Sequence, residues 1–208
     1  MTLRAKVENI WYHYKWYIVA AVFLIGTLVV CLHSCVTKPE FDIQVYYVTG
    51  SSSMYNEQLA WIESAVASHC TDTNGDGEIT VSVTGLKVGP YTDPSERAEY
   101  MNAVQAGEVM LLFGDEAGIN YLYQNGYLQT LEDFTQETDG EGYAWPVSGS
   151  PFAQQTEGFE VFGDTNVYLS LRIFENTWSA KRFNGKKNYE IACNTLRSIL
   201  ATDALSEE

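Results

Sequence analysis

Glu108-Val109-Met110-Leu111-Leu112-Phe113-Gly114-Asp115 is the stretch on which the fold turns. A short, nearly all-apolar run is typical of a strand covered on both faces, so helices must lie above and below the sheet that holds it. The residues before it are helical in pattern. Asp93-Pro94-Ser95-Glu96 supplies a capping carboxylate, a proline at the first helical position and an acid in the first turn. That helix is expected to run to about Ala106 and stop at Gly107. After the strand, Gly114-Asp115-Glu116-Ala117-Gly118 leads into a helix from Ile119 to Gln124, closed by Asn125-Gly126.

Working outward, 41–48 alternates apolar and polar and then becomes continuously apolar, as a strand entering a sheet does. Thr49-Gly50-Ser51-Ser52-Ser53 is a turn. Leu59, Ile62, Val66 and Cys70 recur at helical spacing, which makes 54–70 an amphipathic helix. A loop at 72–77 precedes a period-two strand over 78–88. The order β-α-β-α-β-α implies an α/β fold: a single three-layer α/β/α domain with a mostly parallel sheet and right-handed crossovers. Beyond it, 135–157 is polar, with an isolated Trp145-Pro146, and reads as a loop or lid. Residues 158–162 and 167–174 read as two strands joined by a hairpin turn at 163–166. Lys181 to Lys187 is a basic turn, and Tyr189, Ala192, Cys193, Leu196 and Leu200 trace a last amphipathic helix.

The amino-terminal part is different in kind. From Trp16 to Thr37 no residue carries a formal charge, His33 being neutral. A spanning helix needs roughly 20 mainly apolar residues. Trp11, Tyr12, Tyr14, Trp16 and Tyr17 crowd one end, as aromatic residues do at a membrane interface. Arg4, Lys6, Glu8 and Lys15 give that end a net charge of +2. The expected organisation is a cytoplasmic amino terminus at 1–15, a single transmembrane helix at 16–35, a linker at 36–40 and an extracytoplasmic α/β domain at 41–202. Leu32-His33-Ser34-Cys35 resembles a lipobox, so a lipoprotein anchored at Cys35 is the alternative. From residue 36 onward, 9 basic and 26 acidic side chains leave a net of −17. Such a domain repels nucleic acid, which argues against that class of partner.

Two cysteines, Cys70 and Cys193, belong to the outer part, where thiols can oxidise. A bridge between them and a pair of buried free thiols are both open at this point. The chemistry motifs are sparse. His69 is the one histidine of the domain, and no Gly-x-Ser-x-Gly, P-loop or His-Glu-x-x-His pattern occurs. Asp115 and Glu116 after a strand fit either paired acids or a helix amino terminus, and the second is favoured by the helix dipole. The expectation is a protein that is not an enzyme.

Asp72-x-Asn74-x-Asp76-Gly77 matches the first half of an EF-hand calcium loop, with the Glu78 carbonyl as the next ligand. The twelfth position is Val83 in place of a bidentate glutamate. Calcium at Asp72, Asn74, Asp76 and Glu78 is set against a plain chain-reversing turn.

Three stretches together carry a family resemblance. The first strand, turn and long helix, the segment Gln105-Ala-Gly-Glu-Val-Met-Leu-Leu-Phe-Gly-Asp115, and Leu122-x-x-Asn125-Gly126-x-Leu128-x-x-Leu131-Glu132-Asp133-Phe134 resemble the first lobe of extracellular solute-binding proteins, which feed ABC importers. The chain also looks like membrane-anchored proteins of Gram-positive anaerobes. The family closes two lobes around a solute, and the residues here supply one. The resemblance implies a membrane-anchored, non-catalytic module acting through a partner protein or weak solute binding; the alternative is the sugar-binding lipoprotein of an importer, with a permease as partner. Turns after the strands are where a ligand would sit. They nominate Thr49, Gly50, Ser51, Gly114, Asp115 and Glu116, with Trp145 as a stacking face.

Overall fold

The computed structural model describes residues 3–36, 41–50, 54–89, 92–139, 141–175, 178–181 and 184–204. The chain divides into two compact units, 1–40 and 41–208.

The first unit is one helix, α1, Leu3–Val36. It extends well before the expected 16–35 and takes in the charged amino-terminal residues. Within it, Tyr14–Cys31 is long and apolar enough to cross a membrane or to serve as a signal sequence, and none of it is buried against the rest of the chain. At ~1.5 Å per residue the 34 residues span about 50 Å, more than the ~30 Å hydrocarbon core of a bilayer.

The second unit is a mixed α/β domain. Its strands are β1 Ile43–Thr49, β2 Val81–Lys87, β3 Leu111–Asp115, β4 Trp145–Pro146 and β5 Val167–Leu171. Its helices are α2 Asn56–Ala67, α3 Pro94–Ala106, α4 Glu116–Gln124, α5 Pro151–Gln155 and α6 Gly185–Ala204. The sheet has the order β2-β1-β3-β5-β4. Strand β1 is parallel to both β2 and β3. Strand β5 is antiparallel to β3 and to β4, so the sheet is parallel in one half and antiparallel in the other.

Alternation along the strands divides the core in two. Val45, Tyr47, Leu111, Phe113, Val167 and Leu169 join Trp61 and Ile62 of α2 and Leu196 and Ile199 of α6. Val48, Leu86 and Leu112 join Tyr100 of α3 and Ile119 and Leu122 of α4. All five residues of β3 are buried, as its apolar run requires. The start of α3 is also as its sequence specifies. The Asp93 carboxylate accepts from the Ser95 and Glu96 amides, the Glu96 side chain accepts from the Asp93 amide, and Gly107 closes the helix at φ 63°.

Several expectations are corrected. Residues 158–162 are no strand: Phe159–Phe162 is a single 3-10 turn. Spacing of three puts Phe159 and Phe162 on one side, where both meet Trp61 edge-on at centroid distances of 5.1 and 5.5 Å. A strand would send them to opposite faces. There is accordingly no hairpin at 163–166. The polar stretch 135–157 contains β4 and α5 and carries Trp145 and Phe152 into the core. The basic turn at 181–187 is divided between a 3-10 turn, Ser179–Lys181, and the start of α6. Cys70 and Cys193 are buried free thiols and are not bridged. Burial pushes the pKa of both upward, which keeps them protonated and unreactive.

Candidate functional site

In an open α/β sheet a ligand enters beyond the carboxyl ends of adjacent parallel strands whose connections leave to opposite faces. Here that place lies between the ends of β1 and β3. The helix after β1 packs in the Trp61 cluster, and the helix after β3 packs in the Tyr100 cluster. Thr49-Gly50 and Gly114-Asp115 therefore face one another across the expected crevice.

Across that crevice the two strand ends are bonded to each other. Asp115 is 7% exposed. Its Oδ2 accepts from the Thr49 hydroxyl, and both carboxylate oxygens accept from the Gly50 amide, at 3.1 and 3.2 Å. Its Oδ1 also accepts from the Gly118 amide at 2.7 Å, which caps α4. Glycines bring the backbones together. A Cβ at Gly118 would stand 2.0 Å from the Val48 carbonyl oxygen, and one at Gly114 2.7 Å from the same atom. A Cβ at Gly50 would stand 2.5 Å from that of Ala117. Burial pushes the Tyr47 hydroxyl up to about 12; the Asp115 carboxylate acts in the same direction and a hydrogen bond with Thr49 in the opposite one.

The expected ligand face is thus dispersed. Thr49 is 1% exposed and engaged with Asp115. Ser51 lies outside the described residues. Asp115 is buried while Glu116 is exposed in the first turn of α4, so the two are not a working pair of acids. Trp145 is 1% exposed and packs beside Phe152, with ring centroids 6.4 Å apart, so it offers no stacking face.

A second buried carboxylate, Asp42, escaped the sequence reading. It lies just before β1 and is 3% exposed. Its Oδ1 accepts from the Thr73 amide at 2.6 Å, the Asn74 amide at 3.2 Å and the Thr73 hydroxyl at 3.0 Å, and its Oδ2 accepts from the Thr80 amide at 2.8 Å. These bonds hold both ends of the Asp72–Gly77 loop. Burial alone would raise its pKa, but the donors outweigh it and bring the group down to about 2.

The loop also bonds to itself. Asp72 accepts from the Gly75 and Gly77 amides, Asn74 from the Asp76 amide, and Asp76 from the Glu78 amide and the Asn74 side chain. Gly77 adopts φ 87°, the sharp turn its position requires. Glu78 is exposed, and Val83 is half-buried against the core in β2. Among the described residues no three acidic, histidine or cysteine side chains gather closely enough to hold a metal ion.

No protein-family model, curated protein or solved structure matches the chain.

Asp42 ties stability to pH. A carboxylate whose folded pKa lies below its unfolded value stabilises the fold above the unfolded value, and loses that contribution as pH falls through the folded one. The window here runs from about pH 4 down to about pH 2. Because solvent lies close above the exposed loop, the contribution is set at about 1–2 kcal/mol. Urea unfolding of the unaltered chain and of Asp42→Asn should differ by that amount at pH 5, and the gap should narrow toward pH 2.5. A gap independent of pH would contradict this account of Asp42.

Proposed function

We propose that the chain is a single-pass membrane protein whose domain, 41–202, stands outside the cytoplasmic membrane and works as a non-catalytic module through a protein partner. The observation that carries this reading is the Asp115 clamp across the crevice between β1 and β3. A solute entering there would have to displace the Asp115 carboxylate from Thr49, Gly50 and Gly118. Binding has to be expressed on the outer surfaces instead. The orientation is supported by the basic, aromatic flank before the apolar stretch of α1 and by the acidity of the domain.

The same reading keeps a relation to one lobe of solute-binding proteins. Strand order β2-β1-β3, with α2 and α6 in one apolar cluster and α3 and α4 in the other, supports a sheet between two helical layers. An importer's solute receptor, anchored as a lipoprotein at Cys35, is the competing function.

Crosslinking the full chain in its native membrane separates the two. The module should be recovered with itself or another surface protein and without a permease. Recovery of permease and ATPase subunits would make it part of an importer.

Calcium is a separable proposal for the loop. It is supported by the inward-folded Asp72, Asn74 and Asp76 side chains and by the turn at Gly77. Millimolar calcium should raise the melting temperature of the full chain by a few degrees, and Asp72→Ala with Asp76→Ala should abolish the gain. An unchanged melting temperature would leave the loop a self-bonded turn.

A further inference from the structure

The sheet treats its two edges differently. One edge is β4, two residues long and ending in Pro146, which has no amide hydrogen to offer. Short edges and proline are the usual means of blocking strand addition. The other edge is β2, seven residues without a proline. Its inner side pairs with β1 along its whole length, and among the described residues its outer side has no backbone partner. Thr84 is exposed, and Ser82, Val83 and Gly85 are half-buried.

An open groove of about 420 Å³ lies against the start of this strand, between it and α2. Phe41, Ala60, Ala67, Ile79 and Val81 line it. Phe41 is 40% and Ile79 44% exposed, an uncommon outlay of apolar surface at adjoining positions. Among the described residues the charge that lines the groove is negative. Glu63 is the single charged residue in the lining, and Glu57, Asp76 and Glu78 are exposed on the same two segments. Lys87, the basic residue of β2, is engaged by Glu96 at 2.9 Å. A second copy of the chain would bring the same acids, and a net of −17 from residue 36 onward, against this surface. Repulsion disfavours that occupant and favours a basic one.

We infer that the outer edge of β2 receives an extended segment of a partner protein in which an apolar and a basic residue stand two positions apart, on the face turned toward α2. Main-chain hydrogen bonds along Val81–Lys87 would supply the pairing. An apolar side chain of the segment sits between Phe41 and Ile79, and a lysine or arginine faces Glu63. The inference rests on the reading of the domain as a partner-bound module and names the surface it uses.

The test uses the full chain in nanodiscs and two synthetic heptapeptides of threonine that carry one valine and, two positions on, a lysine in one peptide and a glutamate in the other. Titration with the valine–lysine peptide should shift the amide resonances of 79–87 and leave those of β4 and β5 in place. Glu63→Lys and Ile79→Lys, both at exposed positions, should each weaken binding at least tenfold. Glu99→Lys, the same charge change on an exposed face of α3, should leave it within twofold. The valine–glutamate peptide should bind Glu63→Lys more tightly than the unaltered chain. Absence of binding, shifts confined to other elements, or an affinity of Glu63→Lys and Ile79→Lys unchanged from that of the unaltered chain would overturn the inference. Crosslinking in the native membrane keeps the two claims apart. A partner still recovered with both variants preserves the module reading and removes this surface from it.

Discussion

The Asp115 carboxylate is the contact on which the domain's arrangement depends. It stands at the end of the most buried strand and reaches the end of its neighbour. It binds the Thr49 hydroxyl and the Gly50 amide across the sheet, and the Gly118 amide along the chain. One group thus joins β1 to β3, caps α4 and closes the space between them. A buried carboxylate is tolerated only where its oxygens are satisfied, and among the described residues its bonds come from a hydroxyl and backbone amides. The glycines at 114 and 118 are the steric counterpart: they let α4 approach the Val48 carbonyl closely enough for the clamp to form.

Asp42 does the corresponding work at the other end of β1. Its donors, Thr73, Asn74 and Thr80, belong to the loop between α2 and β2. Strand β1 is therefore held at entry and exit by buried carboxylates bonded to neutral donors. This arrangement suits a domain with 26 acidic and 9 basic side chains from residue 36 onward. The exposed acids keep the surface negative, and that charge then selects what can approach it.

Much of this was legible in local sequence and some was not. The capped start of α3 and its end at Gly107 are written in adjacent residues and are found where expected, whereas β3 begins three residues into the apolar run at 108–113 and continues through Gly114 and Asp115. The role of Asp115 as a helix cap was also readable, but its hold on Thr49 crosses 66 positions, and no local pattern carries it. Asp42 is hidden for the same reason. The antiparallel β5 depends on a return of the chain through 125–166 that has no periodicity to follow. The turn at Phe159–Phe162 failed because four residues cannot separate a period of two from one of three, and contact with Trp61 decided between them. Trp145 stood out in a polar stretch as a ligand platform, whereas its neighbour across the sheet, Leu169, draws it into the core.

Hydrogen exchange at the Gly50 amide tests the central claim most directly. Gly50 lies just past the end of β1 and outside the sheet ladder, and among the described residues Asp115 is what its amide bonds to. The account predicts exchange as slow as that of the β1 amides, with Gly118 equally slow and both released together in Asp115→Ala. Exchange at the rate of an open loop, in the unaltered chain, would mean that the crevice between β1 and β3 is accessible and that a solute site there has to be restored.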